Sequence, residues 1–216
     1  MARPKRAHGN ARGCAKERII QAAEELFAEQ GYAATSVARI AEAAAANRAL
    51  LYYYFRDKRD LYWAITRCGL DEILNLITAV GQAPGGPWER LEQFVRSYYE
   101  LLLRRHNMAR MVFRELMVGS EQLGLPIEHH ARESVAQVRR MLEDVLRGGA
   151  FKELDPELTA FSLFGMIHVF FMRRLATGRS FPSDVVVAHT MALLRHGAQS
   201  PSARKSRSRR DAKGKA

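Results

Sequence analysis

Apolar residues recur at three- and four-residue spacing along most of the chain. No stretch alternates apolar and polar positions with period two over a useful length, so the pattern predicts helices and no sheet. From about Arg12 to Gln30, Ile19, Ala23, Leu26 and Phe27 fall on one face, and Gly31 stops the helix. Two short helices then share the segment Thr35 to Phe55. Thr35 or Ser36 can cap the first, and Val37, Ile40, Ala41 and Ala44 form its inner stripe, with the small Ala41 where the two helices cross. Asn47 can cap the second, whose Leu51 and Phe55 point inward and leave Arg48, Ala49, Tyr52 and Tyr53 outward. That outer face is short, flat, cationic and aromatic, as suits a helix lying in a major groove.

Asp57 caps a long helix to about Val80, and Gln82-Ala-Pro-Gly-Gly-Pro87 breaks it. Further helices are expected from Trp88 to about His106, from Met108 to about Val118, and from Ile127 to Arg147, where Gly148-Gly149 ends the last. Asp155-Pro-Glu157 starts another. Its continuation, Leu158 to Met172, is apolar almost all the way round and has to be buried on both sides. A membrane span is the rival reading. About fifteen residues fall short of the roughly twenty required, and Thr159, Ser162 and His168 interrupt them. A second apolar helix, Ser183 to His196, carries Val185, Val186, Val187, Met191, Leu193 and Leu194. A monomer of this size can hardly bury both, so pairing with the same two helices of a second copy is expected, as a four-helix interface.

Of the formal charge of +11, residues 1 to 18 hold +5 and residues 197 to 216 hold +6. The basic character therefore lies in two arms around a nearly neutral core. Such arms are either solubilising tails or a source of sequence-independent affinity for phosphate. The second reading is favoured beside the N-terminal helices, and both stay open for Ser202 to Arg210. Cys14 and Cys68 have no paired spacing, which implies a reducing compartment, and Cys68 reads as packing in an apolar helix. The charged N-terminus has no hydrophobic signal-peptide core, so the cytoplasm is expected.

On Glu17-Arg-Ile-Ile, Ala22-Ala-Glu-Glu-Leu-Phe-Ala-Glu-Gln-Gly-Tyr32, Thr35-Ser-Val, Ile40-Ala-Glu-Ala-Ala44 and Leu51-Tyr-Tyr-Tyr-Phe-Arg-Asp-Lys58 with Leu61, the first third of the chain resembles the TetR/AcrR family of bacterial transcriptional regulators. The resemblance implies an all-α protein with a three-helix, helix-turn-helix domain over residues 13–60 and a regulatory and dimerisation domain over 61–197. A basic arm (1–12) and a basic tail (198–216) flank them. It implies a homodimeric repressor that binds a palindromic double-stranded DNA operator and is released by an unidentified small molecule, apolar or amphipathic. Bound to DNA, such a protein sits on the nucleoid. No membrane partner, metal or cofactor is expected. Three positions depart from the family. The turn, usually Gly then Val, is Ala45-Ala46, so a site that needs positive φ carries a side chain. Leu50 replaces a frequent Thr and Tyr54 a frequent His.

DNA contacts are expected from Thr35 and Ser36, from Asn47, Arg48, Ala49 and Leu50, and from Tyr52, Tyr53, Tyr54 and Lys58. The resemblance places Lys58 and the phenols of Tyr52 and Tyr54 on phosphates. Arg48 suits a guanine edge or a phosphate, Ala49 leaves room for close approach, and Leu50 suits a thymine methyl. For the small molecule, Met108, Met111, Phe113, Met117, Phe164, His168 and Phe171 read either as a ligand site or as plain core. His168, the polar exception in the longest apolar run, is either a satisfied buried histidine or the orienting group of a pocket. His129, His130 and Glu133 are explained by an exposed polar face. Nothing in the chain carries a nucleophile elbow, a zinc-protease motif, a phosphate-cradling loop or a dinucleotide fingerprint, so nothing asks for catalysis. A protein that coats nucleic acid through its tails is the other alternative. It would bind without sequence preference and lose binding when the tails are removed.

Overall fold

The structure, a computed structural model, describes residues 7–118, 127–147 and 154–197. The expected breaks at 119–126 and Gly148-Gly149, and the basic tail, lie outside them. Among the described residues there is no strand, and the helices are α1 (Ala7–Ala34), α2 (Val37–Ala43), α3 (Arg48–Tyr54), α4 (Lys58–Gly81), α5 (Pro87–Arg104), α6 (His106–Val118), α7 (Ile127–Leu146), α8 (Pro156–Thr177) and α9 (Ser183–Gly197). Helix α1 begins inside the expected arm. Gly31 interrupts it with φ 83°, a conformation that costs a side chain energy and glycine little.

The chain forms two compact units. The first takes residues up to Glu72 and from Arg105 to Glu128, so the DNA-reading helices share a body with the start of α4 and with α6. Ile19, Phe27, Ile40, Leu51, Leu61, Tyr62 and Ile65 make one core with Met108, Met111 and Val112 of α6. Gly69 leaves room for Met108 of α6, because a Cβ there would stand 2.2 Å from Met108 Sδ. Polar contacts join the same helices. Tyr62 Oη donates to Glu115 Oε1 at 2.6 Å, and Arg114 donates to the carbonyls of Phe27 and Ala28 at 3.3 and 3.4 Å. Cys68, expected in the packing of α4, is exposed.

The second unit takes residues 73 to 104 and those from His129 onward. Helix α5 packs on α8 and α9, and Leu91, Phe94, Val95, Tyr98 and Tyr99 are buried. Helix α8 spans 22 residues and extends past the apolar run. It continues through Arg173 and Arg174 until Gly178, at φ 70°, caps it by donating its N–H to Arg174 O at 2.8 Å. By length and composition it passes as a membrane span. Its inner stripe, Ala160, Leu163, Phe164, Ile167 and Phe171, is nonetheless buried within this unit. The outer stripe is open: Leu158, Phe161 and Val169 are 67%, 57% and 66% exposed. On α9, Val185 and Leu193 are exposed while Val186, Val187 and Met191 are buried.

Candidate nucleic-acid interface

The reading pair is held by caps that the sequence supplies. Ser36 Oγ accepts from Arg39 N–H at 3.2 Å and Asn47 Oδ1 from Leu50 N–H at 2.7 Å, each satisfying a backbone donor that the first helical turn leaves free. Between the helices Ala46 N–H donates to Ala41 O at 2.9 Å, and Ala45 takes φ +48°. The cost of a side chain in that left-handed turn is therefore present in this molecule. Arg18 Nε ties α1 to the same corner through Ala44 O at 3.1 Å.

Ser36, Asn47, Arg48, Ala49, Tyr52 and Tyr53 are exposed, the first four at the capped starts of α2 and α3 and the two tyrosines further along α3. Tyr53 is 68% exposed and meets Tyr54 edge to face, ring centres 5.1 Å apart. Thr35 departs from expectation. It is buried, and its hydroxyl donates to Gly31 O at 2.8 Å and Leu26 O at 3.2 Å, so it closes the end of α1 instead of facing DNA. Leu50 and Tyr54 are half-buried against the core, which leaves only part of each side chain for a base or a phosphate. Lys58 is also drawn inward. Its Nζ donates to Tyr32 O at 2.8 Å and Thr35 O at 3.0 Å and lies 4.2 Å from the centre of the Tyr32 ring. Sequence reasoning missed these partners because they stand more than twenty positions away.

The residues singled out for a ligand fall into both units. In the first, Met108 and Met111 are wholly buried in the core, Phe113 is half-buried and Met117 is 70% exposed. In the second, Phe164 and Phe171 are buried, and His168 Nε2 is 2.8 Å from Tyr98 Oη. Phe94 and Phe164 complete an aromatic wall around that pair, with Phe164 edge-on to Tyr98 at 5.4 Å. Burial away from water pushes the His168 pKa down to about 4, and burial also raises the Tyr98 phenol above its usual range. At neutral pH His168 is an uncharged ring in an apolar wall.

Residues 19–65 match the family described as bacterial regulatory proteins, tetR family, and residues 84–196 match the tetracyclin repressor-like C-terminal domain. The chain belongs to the TetR family of DNA-binding transcriptional regulators. It is 26% identical over 150 residues to the fatty acid metabolism regulator protein of Bacillus subtilis, covering 69% of this chain and 77% of that protein. A tetR-family regulatory protein from Rhodococcus RHA1 superposes with TM-score 0.74 at 25% identity, over 86% of this chain and 98% of that one. The regulator FadR of Bacillus subtilis, solved with stearoyl-CoA, shares the fold with TM-score 0.70 at 23% identity, over 82% and 96%.

Proposed function

We propose that the protein is a homodimeric repressor which binds a palindromic operator in the cytoplasm and leaves it when an acyl-chain ligand binds the C-terminal unit. It acts by binding, without catalysis. The carrying observation is the exposed Arg48, Ala49, Tyr52 and Tyr53 surface on a helix whose start is fixed by Asn47. Such a helix reads only a few base pairs, so specificity calls for two of them related by a dyad. The open stripe of Leu158, Phe161, Val169 and Leu193 supports pairing. Covering their remaining exposed apolar surface contributes roughly 25 cal/mol per Å². The fatty acid metabolism relative and the stearoyl-CoA-bound neighbour support an acyl ligand. The Tyr98, Phe164, His168 and Phe171 wall is the proposed ligand region, with one neutral polar pair in an apolar surround to orient a headgroup or carbonyl.

The test is selection of bound fragments from random DNA with the full-length dimer, followed by titration of the selected site with acyl-CoA thioesters of increasing chain length. Recovery of an inverted repeat that acyl-CoA releases supports the reading. Fragments without a common sequence overturn the operator, and a complex indifferent to every thioester overturns the ligand class.

A further inference from the structure

The aromatic wall of the second unit holds a polar pair without a charge. From it we infer that this unit takes acyl chains whose head is an uncharged carbonyl, as in a thioester, ester or amide, and rejects the same chain as a free carboxylate. This rests on the wall around Tyr98 and His168 being the ligand region, and it adds the class of head group that the wall selects.

Neutral Tyr98 and His168 carry two polar hydrogens between them, a phenol O–H and one ring N–H, and one of these lies in the 2.8 Å contact from Tyr98 Oη to His168 Nε2. The surroundings are aromatic. Phe94 stacks on Tyr98 at 5.5 Å, while Phe164 stands edge-on to Tyr98 at 5.4 Å and tilts against the histidine ring at 6.1 Å. Tyr98 is buried and His168 half-buried, so the histidine is the member of the pair within reach of a ligand. The cations nearest to the pair in sequence are engaged elsewhere. On α5, Arg96 pairs with Asp184 of α9. On α8, Arg173 lies 4.1 Å from the centre of the Phe181 ring and donates to Arg179 O at 3.0 Å. Burial alone shifts His168 down and Tyr98 up, with no neighbouring charge contributing, so both are neutral at pH 7.

A carbonyl oxygen asks such a site for a hydrogen bond and brings no charge. An ionised carboxylate in the same place lies in apolar surroundings without a cation, and the cheaper course for it is to enter protonated. An alkanoic carboxyl of ordinary pKa, about 4.3, is neutral in about one molecule in five hundred at pH 7. Apparent affinity falls by that fraction.

Calorimetry of the full-length protein at pH 7 compares decanoyl-CoA, decanamide and decanoate, the last two being close in size and different in charge. Decanoyl-CoA and decanamide are expected to bind, and decanoate to bind more weakly than decanamide by about two to three orders of magnitude or more. Decanoate within about tenfold of decanamide overturns the selection and leaves the acyl ligand standing. Binding of none of the three overturns both. Binding of decanoyl-CoA alone overturns the selection, because recognition then lies outside the acyl head. His168→Arg sets a cation beside the head and is expected to bring decanoate within about tenfold of decanamide, and a folded variant that keeps the wild-type ratio overturns the assignment to this pair. Should His168→Arg not fold, the His168 ring resonances of the wild type decide. Their displacement by decanamide supports the proposal, and resonances that decanamide leaves unmoved overturn it.

Discussion

Tyr62 and Glu115, fifty-three positions apart, meet through a 2.6 Å hydrogen bond in a place closed to water. Burial and the neighbouring carboxylate raise the Tyr62 pKa, so the phenol stays protonated as donor. Removing it leaves an acceptor buried without that donor, which costs about 1–3 kcal/mol. Tyr62→Phe should therefore lower unfolding stability by that amount in a urea titration. Adding Glu115→Leu to Tyr62→Phe should recover part of the loss, whereas additive losses would show that the two residues do not act as a pair.

Ala45 carries a correctable cost. With φ at +48° its Cβ crowds the backbone, and glycine would not. Ala45→Gly should raise stability by about 0.5–1 kcal/mol, the relief of strain exceeding the extra freedom given to the unfolded chain. Ala45→Val should lower it. Thermal melts of both variants check the sign, and equal melting temperatures would rule the strain out.

His168 predicts how stability depends on pH. The unfolded chain protonates this ring near its ordinary value of 6.5, and the folded chain only near 4. Between those values the unfolded state binds more protons. The contribution of His168 is therefore present above about pH 6.5 and is lost as pH falls toward 4, by about 3 kcal/mol at most. His168→Phe should flatten the melting temperature between pH 4 and 6.5 relative to wild type, as calorimetry across that range would record.

Two substitutions on α9 should separate folding from assembly. Val186 is buried within the second unit and Leu193 is half exposed. Val186→Glu should unfold the C-terminal helices, because the charge has no partner in the core. Leu193→Glu should give a folded monomer where the wild type is a dimer in light scattering at micromolar concentration. A dimeric Leu193→Glu would remove this face from the interface.

Arg48→Ala should weaken operator binding by about 1–3 kcal/mol and relax preference at one base position per half-site. Titration against single-base operator variants checks this. A uniform loss across the variants would assign Arg48 to a phosphate.

Much of the helical order was legible because its signals are local. Ser36, Asn47 and Asp155 each cap a helix by bonding an amide three positions on, and Gly31 and Ala45 take the backbone angles their places in the pattern imply. The facing of α9 was not legible. Val185, Val186 and Val187 stand side by side in α9 and blur its phase, so Val186 and Leu193 look alike in sequence and differ in the fold. Distance in sequence hid the rest. The inward turn of Lys58 depends on carbonyls 23 and 26 positions back, and Met108 is committed to the reader's core by a glycine on another helix.

The DNA-reading body takes its last core residues from α6, beyond the thirty-two residues 73–104 that belong elsewhere. On the ribosome, at roughly 5–20 residues per second, α1 to α3 thus emerge seconds before Met108, Met111 and Val112 arrive. Through that interval the seat of those three side chains is open apolar surface. The reading helices precede α6 in the chain, yet their core closes only once α6 has followed.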